Sequence, residues 1–177
     1  IGKLTTKGVF SDLNCTIDGF TYVFGVGGIH GSVESQIVRS DEEWVICDVD
    51  VQSFYPLTAI VNKMYPDHLG AEFCDIYLDI FNQRKSHKKG APENAALKEA
   101  LNASYGNSNN AFSPLYDPMY TMKTTINGQL MLCMLSEQLI KTPGLSMIQN
   151  NTDGVTFRVR RSDMDHVKRV CAWWEGR

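Results

Sequence analysis

Residues 147–157 read Met147-Ile148-Gln149-Asn150-Asn151-Thr152-Asp153-Gly154-Val155-Thr156-Phe157 and predict two short strands joined by a tight polar turn. Asn, Asp and Gly are the residues that such a turn prefers. The apolar residues on both sides predict that the hairpin is buried and that its tip presents Asp153 to a neighbouring strand. Taken alone, the tip is explained by an ordinary β-turn, and it is the apolar flanks that favour a functional aspartate.

A second aspartate ends an apolar strand. The run Trp44-Val45-Ile46-Cys47 predicts a strand over about 43–50, with Asp50 at its end. Asp48 points to the same face as Asp50, because side chains alternate along a strand. If Asp50 lies beside Asp153, the two carboxylates can hold a pair of Mg²⁺ ions, since hard divalent cations prefer carboxylate and phosphate oxygens. A solvated strand end is the alternative for this segment alone.

A polar helical face is predicted by Lys98-Glu99-Ala100-Leu101-Asn102-Ala103-Ser104-Tyr105-Gly106. Lys98, Asn102 and Tyr105 are spaced by four and three residues and therefore share one face. A cation, an amide and an aromatic ring on one face suit a phosphate, a sugar and a base in turn. The alternative is an ordinary helix end, with Tyr105 packed and Gly106 as the C-cap.

The order of the predicted elements is typical of an α+β protein rather than of alternating βαβ units. A β-rich segment comes first, with β-like residues 20–24 and a Gly-rich turn over 25–31, and the strand over 43–50 follows. Helices are then predicted over 57–64, 70–85, 92–105, 124–141 and 163–174, with the hairpin before the last of them.

The composition is that of a soluble globular protein, and the length is sufficient for one domain with a sizeable core. Of the 177 residues, 43% are hydrophobic and 21% are charged. The sequence has neither an apolar run long enough for a membrane span nor a signal-peptide pattern, so we expect no membrane partner. Five widely spaced cysteines without a CxxC pair indicate free thiols in a reducing compartment. The net charge of −3 is unlike that of most nucleic-acid binders, although basic residues cluster at 84–89 and 158–169.

Three motifs together resemble a known family. Asp-x-x-Ser-Phe-Tyr-Pro from Asp50, Lys-x-x-x-Asn-Ala-x-Tyr-Gly from Lys98 and Asn-Thr-Asp-Gly from Asn151 resemble motifs A, B and C of family B DNA polymerases, and of the phage-encoded branch in particular. Their order and spacing agree with the family as well as their residue types. The resemblance implies a DNA-directed DNA polymerase, which is a nucleotidyltransferase of DNA replication.

The resemblance also implies a role for individual residues. Asp50 and Asp153 would be the catalytic carboxylates that hold two Mg²⁺ ions, for which Mn²⁺ can substitute. Tyr55 would lie under the incoming sugar as the steric gate that disfavours a ribose 2′-hydroxyl. The other nucleotide-binding residues would lie on the fingers helices: Arg84 and Lys88 at the phosphates, Lys98 and Asn102 on one helical face, and Tyr105 at the nascent base pair.

The sequence departs from the family in its third motif. The family usually has Asp-Thr-Asp-Ser, whereas this chain has Asn151 first and Gly154 last. Asn151 cannot supply the extra negative charge, and Asp48 is the candidate that compensates as a further metal ligand. Milder departures are Ala103 in place of Ser and Phe54 in place of Leu.

The resemblance implies a polymerase palm, an antiparallel sheet backed by helices, with a two-helix fingers insertion. The palm would comprise 1–56 and 106–177, and the fingers 57–105. No segment reads as an exonuclease or a thumb, and we expect the sequence to be an excerpt of a longer protein. The expected partners are primer-template DNA, a deoxynucleoside triphosphate (dNTP) and replisome proteins, in the cytoplasm of a host cell.

Two other functions fit part of the pattern. A reverse transcriptase also uses two separated carboxylate motifs, but the 98–106 element argues against it, and an Asp-Asp pair in the hairpin would have argued for it. A degenerate palm that binds nucleic acid or replisome partners without catalysis is the non-enzymatic alternative, and Asn151 favours it.

Overall fold

A computed structural model of the chain describes Thr6 and residues 8–177. The described residues form an α+β structure with one six-stranded antiparallel sheet and five α-helices, which confirms the predicted α+β class. The palm and fingers architecture stays a prediction. In chain order the elements are β1 (Asn14–Ile17), β2 (Phe20–Gly25), β3 (Gly28–Ser32), β4 (Trp44–Asp50), α1 (Phe54–Val61), α2 (Glu72–Ser86), α3 (Pro92–Asn107), α4 (Pro118–Leu139), β5 (Ser146–Asn151), β6 (Gly154–Arg160) and α5 (Met164–Glu175).

The chain divides into two compact units. One comprises Gln52–Gly128 with the described residues that precede Phe10, and the other comprises Phe10–Val51 and Gln129–Arg177. We call the first the helical unit and the second the sheet unit. The boundary between them falls within α4. The palm and fingers ranges expected from the sequence stay a prediction.

The sheet unit contains all six strands, in the order β1-β2-β3-β5-β6-β4. Strand β4 lies at an edge and pairs with β6 along its whole length, from Trp44 opposite Arg160 to Asp50 opposite Gly154. One face of these strands is buried in an apolar core and the other carries polar side chains. The buried apolar side chains include Phe20, Ile29, Leu132, Leu135, Leu139, Met147, Val155, Phe157, Val159 and Trp174.

The helical unit has an aromatic core of its own. Its fully or nearly buried members are Ala59, Tyr77, Phe81, Leu101 and Tyr120. The hydroxyl of Tyr77 donates a hydrogen bond to the carbonyl oxygen of Leu101 at 2.5 Å, so the polar end of this buried ring is satisfied. Burial raises the pKa of Tyr77 and keeps it protonated. The rings therefore tie α2 to α3.

Most predicted elements are present, and four differ. Helix α1 covers Phe54–Val61, so it begins before Pro56 rather than after it and ends before Met64. Helix α3 continues through Gly106 to Asn107, so Gly106 is not a C-cap. Helix α4 begins six residues before the predicted Thr124, because the Asp117 carboxylate accepts the backbone N–H groups of Met119 and Tyr120 at 3.0 Å each and so caps an earlier start. Residues 28–31, predicted as part of a Gly-rich turn over 25–31, belong to strand β3 (Gly28–Ser32).

All five cysteines are free thiols, as predicted. Within the part of the chain that the structure describes, no helix has the length and apolarity needed to cross a membrane.

Candidate functional site

The turn between β5 and β6 is a two-residue loop, with Thr152 and Asp153 between the paired residues Asn151 and Gly154. The side-chain oxygen of Asn151 accepts the backbone N–H of Thr152 at 2.9 Å, which braces the loop. None of these four residues has a φ in the left-handed range. Backbone conformation therefore does not explain why residue 154 is glycine.

Close approach of β4 explains this glycine instead. A Cβ at Gly154 would lie 2.8 Å from the backbone oxygen of Val49 and 3.5 Å from Oδ1 of Asp50. The first distance is shorter than side chains tolerate, so the strands can pair here only because residue 154 has no side chain. The same glycine leaves space beside the Asp50 carboxylate.

The pairing of β4 with β6 brings the two aspartate motifs to one end of the sheet. Asp50 lies opposite Gly154, and the backbone N–H of Val51 donates to the carbonyl oxygen of Asp153 at 2.8 Å. Asp50 is exposed and Asp153 is half-buried. Two residues that are about a hundred positions apart in sequence are thus neighbours in the same ladder.

Asp48 is exposed on the same face of β4 as Asp50, as the alternation predicted. Its Oδ1 accepts a hydrogen bond from the Thr156 hydroxyl at 2.6 Å, directly across the strand pair. Gln149 lies next in this row, opposite Thr156 on β5. Gln149, Thr156 and Asp48 thus form a polar row across the three strands on the sheet face that also carries Asp50.

The donor set suits Mg²⁺ that is completed by phosphate oxygens. Among Thr6 and residues 8–177, no group of three or more His, Cys, Asp or Glu side chains could hold a metal ion. Mg²⁺ is commonly bound by one or two carboxylates together with substrate phosphates rather than by an all-protein cage. Asp50 and Asp153 supply two carboxylates at one end of the sheet, which is the number of protein ligands that a site of that kind uses.

In the helical unit, Tyr55 and Tyr105 are stacked; they come from the two segments that resemble motifs A and B. The rings of Tyr55 and Tyr105 have centroids 4.3 Å apart at an interplanar angle of 29°. The Tyr105 hydroxyl is hydrogen-bonded to that of Thr125 at 2.5 Å. Burial raises the pKa of Tyr105, so the hydroxyl stays protonated. Sequence reasoning did not identify Thr125, because nothing in a lone threonine of a helix signals a partner on another helix.

The two other polar candidates of α3 face away from the core. Lys98 and Asn102 are exposed, whereas Leu101 between them is fully buried. Lys88 is also exposed, in the turn between α2 and α3. These side chains are accessible to a ligand.

Arg84 is placed differently from the other candidates. Its side chain is buried, and its Nη1 donates to the hydroxyl of Ser53 while its Nε donates to Asn94 Oδ1 at 3.4 Å. Asn94 in turn donates to the backbone oxygens of Arg84 and His87. Ser53 precedes α1 with a left-handed φ of 52°. Arg84 thus contacts Ser53, whose backbone is strained, in the segment that resembles motif A. The sequence alone did not indicate this contact.

No protein-family model matches this chain, and no curated protein matches it either. Its function is therefore inferred from the residues and from their geometry.

Proposed function

We propose that the chain is the palm and fingers portion of a family B, phage-type DNA polymerase. The reaction is attack of a primer 3′-hydroxyl on the α-phosphate of a dNTP, with release of pyrophosphate. The observation that carries the proposal is the pairing of Asp50 with Gly154, next to the hydrogen bond from Val51 to Asp153. This pairing supports a two-carboxylate centre built from the motifs that resemble A and C.

Asp50 and Asp153 would hold two Mg²⁺ ions, or Mn²⁺ in their place. When bound, such ions stabilise the charge on the attacking and leaving oxygens of an in-line displacement. Asp50 ends a paired strand and Asp153 lies in the two-residue turn of a paired hairpin. Such a short turn between paired strands holds a catalytic group more accurately than a long mobile loop does. Asp48, exposed on the same strand face, adds negative potential that attracts cations.

The nucleotide contacts are assigned to the helical unit. Lys98 would neutralise part of the triphosphate, and Asn102 lies one turn further along the same helix. Tyr55 would pack under the deoxyribose, with its ring oriented by the stack on Tyr105. We assign Arg84 to the positioning of motif A through Ser53, which precedes Tyr55 by two residues. The proposed partners are primer-template DNA, dNTP and replisome proteins, in a host cytoplasm.

Primer extension by the full-length protein tests the proposal. We expect Mg²⁺-dependent extension to fall by about 10²–10³-fold in Asp50→Asn and in Asp153→Asn, because removal of one group that organises transition-state charge has effects of this order. Asp165→Asn, at an exposed carboxylate of α5, is the matched control and should keep full activity. Thermal unfolding of each variant excludes a folding defect as the cause. Full activity in either of the first two variants would refute the assignment.

A degenerate palm is the second candidate. It is favoured by Asn151, whose side-chain oxygen braces the turn where the family usually has a carboxylate. If full-length protein binds primer-template DNA but extends no primer with Mg²⁺ or Mn²⁺, the non-enzymatic function is correct.

A further inference from the structure

Gly128 lies in the middle of α4, where glycine costs about 1 kcal/mol of helix stability relative to alanine. It is buried, and a Cβ at this position would lie 2.9 Å from Cε1 of Tyr55 and 3.1 Å from Cε1 of Phe54. Real Cβ atoms do not approach ring carbons at the first distance. The backbone of α4 therefore serves as a flat surface against which the Tyr55 ring packs.

The Tyr55 ring is also held on its faces. Its centroid lies 5.6 Å from that of Phe54 at 24° and 4.3 Å from that of Tyr105 at 29°. Tyr105 is tethered to Thr125, which precedes Gly128 by three residues and so lies on the same face of α4. One face of α4 thus positions both tyrosines, one by a hydrogen bond and the other by the lack of a side chain.

We infer that Gly128 is a positioning residue that sets how far the Tyr55 ring projects into the nucleotide-sugar pocket, an inference that rests on the proposed function of Tyr55. A methyl group at position 128 pushes the ring away from α4. Because the ring is partly exposed and is stacked on Phe54 and Tyr105, the displacement is toward solvent, the side on which the proposed function puts the sugar. Gly128 therefore determines whether a deoxyribose fits.

The test is the affinity of the full-length protein for the next correct dNTP, titrated in the presence of Mg²⁺ and a dideoxy-terminated primer-template. We expect Gly128→Ala to weaken dNTP binding about tenfold, the order of effect of one misplaced methylene in a fitted pocket. In a Tyr55→Ala background, the same substitution should change the affinity by less than about twofold, because the ring that it displaces is gone. Gly27→Ala is the control, since a Cβ there has no neighbour within 4 Å.

The outcomes separate this inference from the proposed function, because extension of an ordinary primer is measured in parallel. Unchanged affinity in Gly128→Ala, or an equal loss with and without the Tyr55 ring, overturns the inference even if the wild type extends primers. If Gly128→Ala weakens dNTP binding only when the Tyr55 ring is present, the inference is upheld as a property of nucleotide binding. If the wild type at the same time extends no primer, the proposed polymerase function is refuted. A wild type that binds no dNTP overturns both.

Discussion

Val51 donates its backbone N–H to the carbonyl oxygen of Asp153 at 2.8 Å, one position beyond the last paired residues of β4 and β6. The carboxylates of Asp50 and Asp153 therefore depend on one strand ladder for their relative position. A substitution that disturbs this ladder should disturb metal binding without removing any carboxylate.

Gly154→Ala is the most direct disturbance of the ladder. The added methyl group would lie 2.8 Å from the backbone oxygen of Val49, and a backbone atom in a ladder cannot move aside cheaply. We expect a loss of about 1–3 kcal/mol in the free energy of unfolding, the usual range for overpacking, measured by urea denaturation. Gly27→Ala, where a Cβ meets no neighbour, is the control. Equal stability of the two variants would contradict the close approach.

Asn151→Asp restores the carboxylate that the family usually has. The aspartate can still accept the Thr152 N–H, so the turn should keep its geometry, while a negative charge is added beside Asp50 across Gly154. We expect a lower melting temperature in EDTA, because like charges repel, and a larger Mg²⁺-induced rise in melting temperature than in the wild type.

Asn82→Asp, at an exposed site on α2, adds the same charge in the helical unit and is the control for Asn151→Asp. If the two variants respond equally to Mg²⁺, the end of the hairpin is not a metal site.

Arg84→Gln should destabilise the helical unit. Removal of the guanidinium leaves the Ser53 hydroxyl and the Asn94 side chain without their donor, in a part-buried setting. Ser53 has a left-handed φ, which costs a non-glycine residue about 1–2 kcal/mol and needs such support. We expect a loss of about 1–3 kcal/mol in urea unfolding.

Lys85→Gln removes the same charge from the exposed next residue, whose ammonium lies 5.3 Å from the centroid of the Phe81 ring, and should cost no more than about 0.5–1 kcal/mol. If Arg84→Gln lowers dNTP affinity while stability equals that of Lys85→Gln, Arg84 contacts phosphate and does not act through Ser53.

Asp41 should make stability depend on pH. Its pKa is lowered, chiefly by the backbone N–H of Trp44, with further contributions from the N–H of Glu43 and from Arg158. A lowered folded-state pKa means that the stabilisation is present above the ordinary pKa of 3.8 and is lost as the pH falls through the folded value. Asp41→Asn should therefore be less stable than the wild type at pH 7 and equal to it at low pH, measured by thermal unfolding across pH.

Glu42→Gln, at the adjacent exposed carboxylate, is the control for Asp41→Asn. If Asp41→Asn were still less stable than the wild type at low pH, the charge of Asp41 would not be the cause.

Local patterns in the sequence predicted much of the secondary structure. Apolar runs and turn residues indicated β4 and the β5–β6 hairpin, helical spacing indicated α2, and the Pro92-Glu93 opening indicated α3, because these signals are properties of neighbouring residues. The errors concern where elements begin and end. Asp117 caps α4 six residues earlier than apolar spacing suggested, and Gly106 remains helical because glycine only weakens a helix and does not end it.

Residue types and their spacing in the sequence were enough to indicate two strand-end aspartates, a polar helical face and the motifs that carry the family resemblance. Which side chains meet is a different matter, because strand pairing and ring stacking depend on how segments far apart in sequence pack. The folded chain alone pairs Asp50 with Gly154, stacks Tyr55 on Tyr105 and joins Arg84 to Ser53. The folded chain also explains why two positions are glycine. A side chain at position 154 would clash with the backbone oxygen of Val49, and one at position 128 would clash with the ring of Tyr55. Neither neighbour is adjacent to its glycine in sequence.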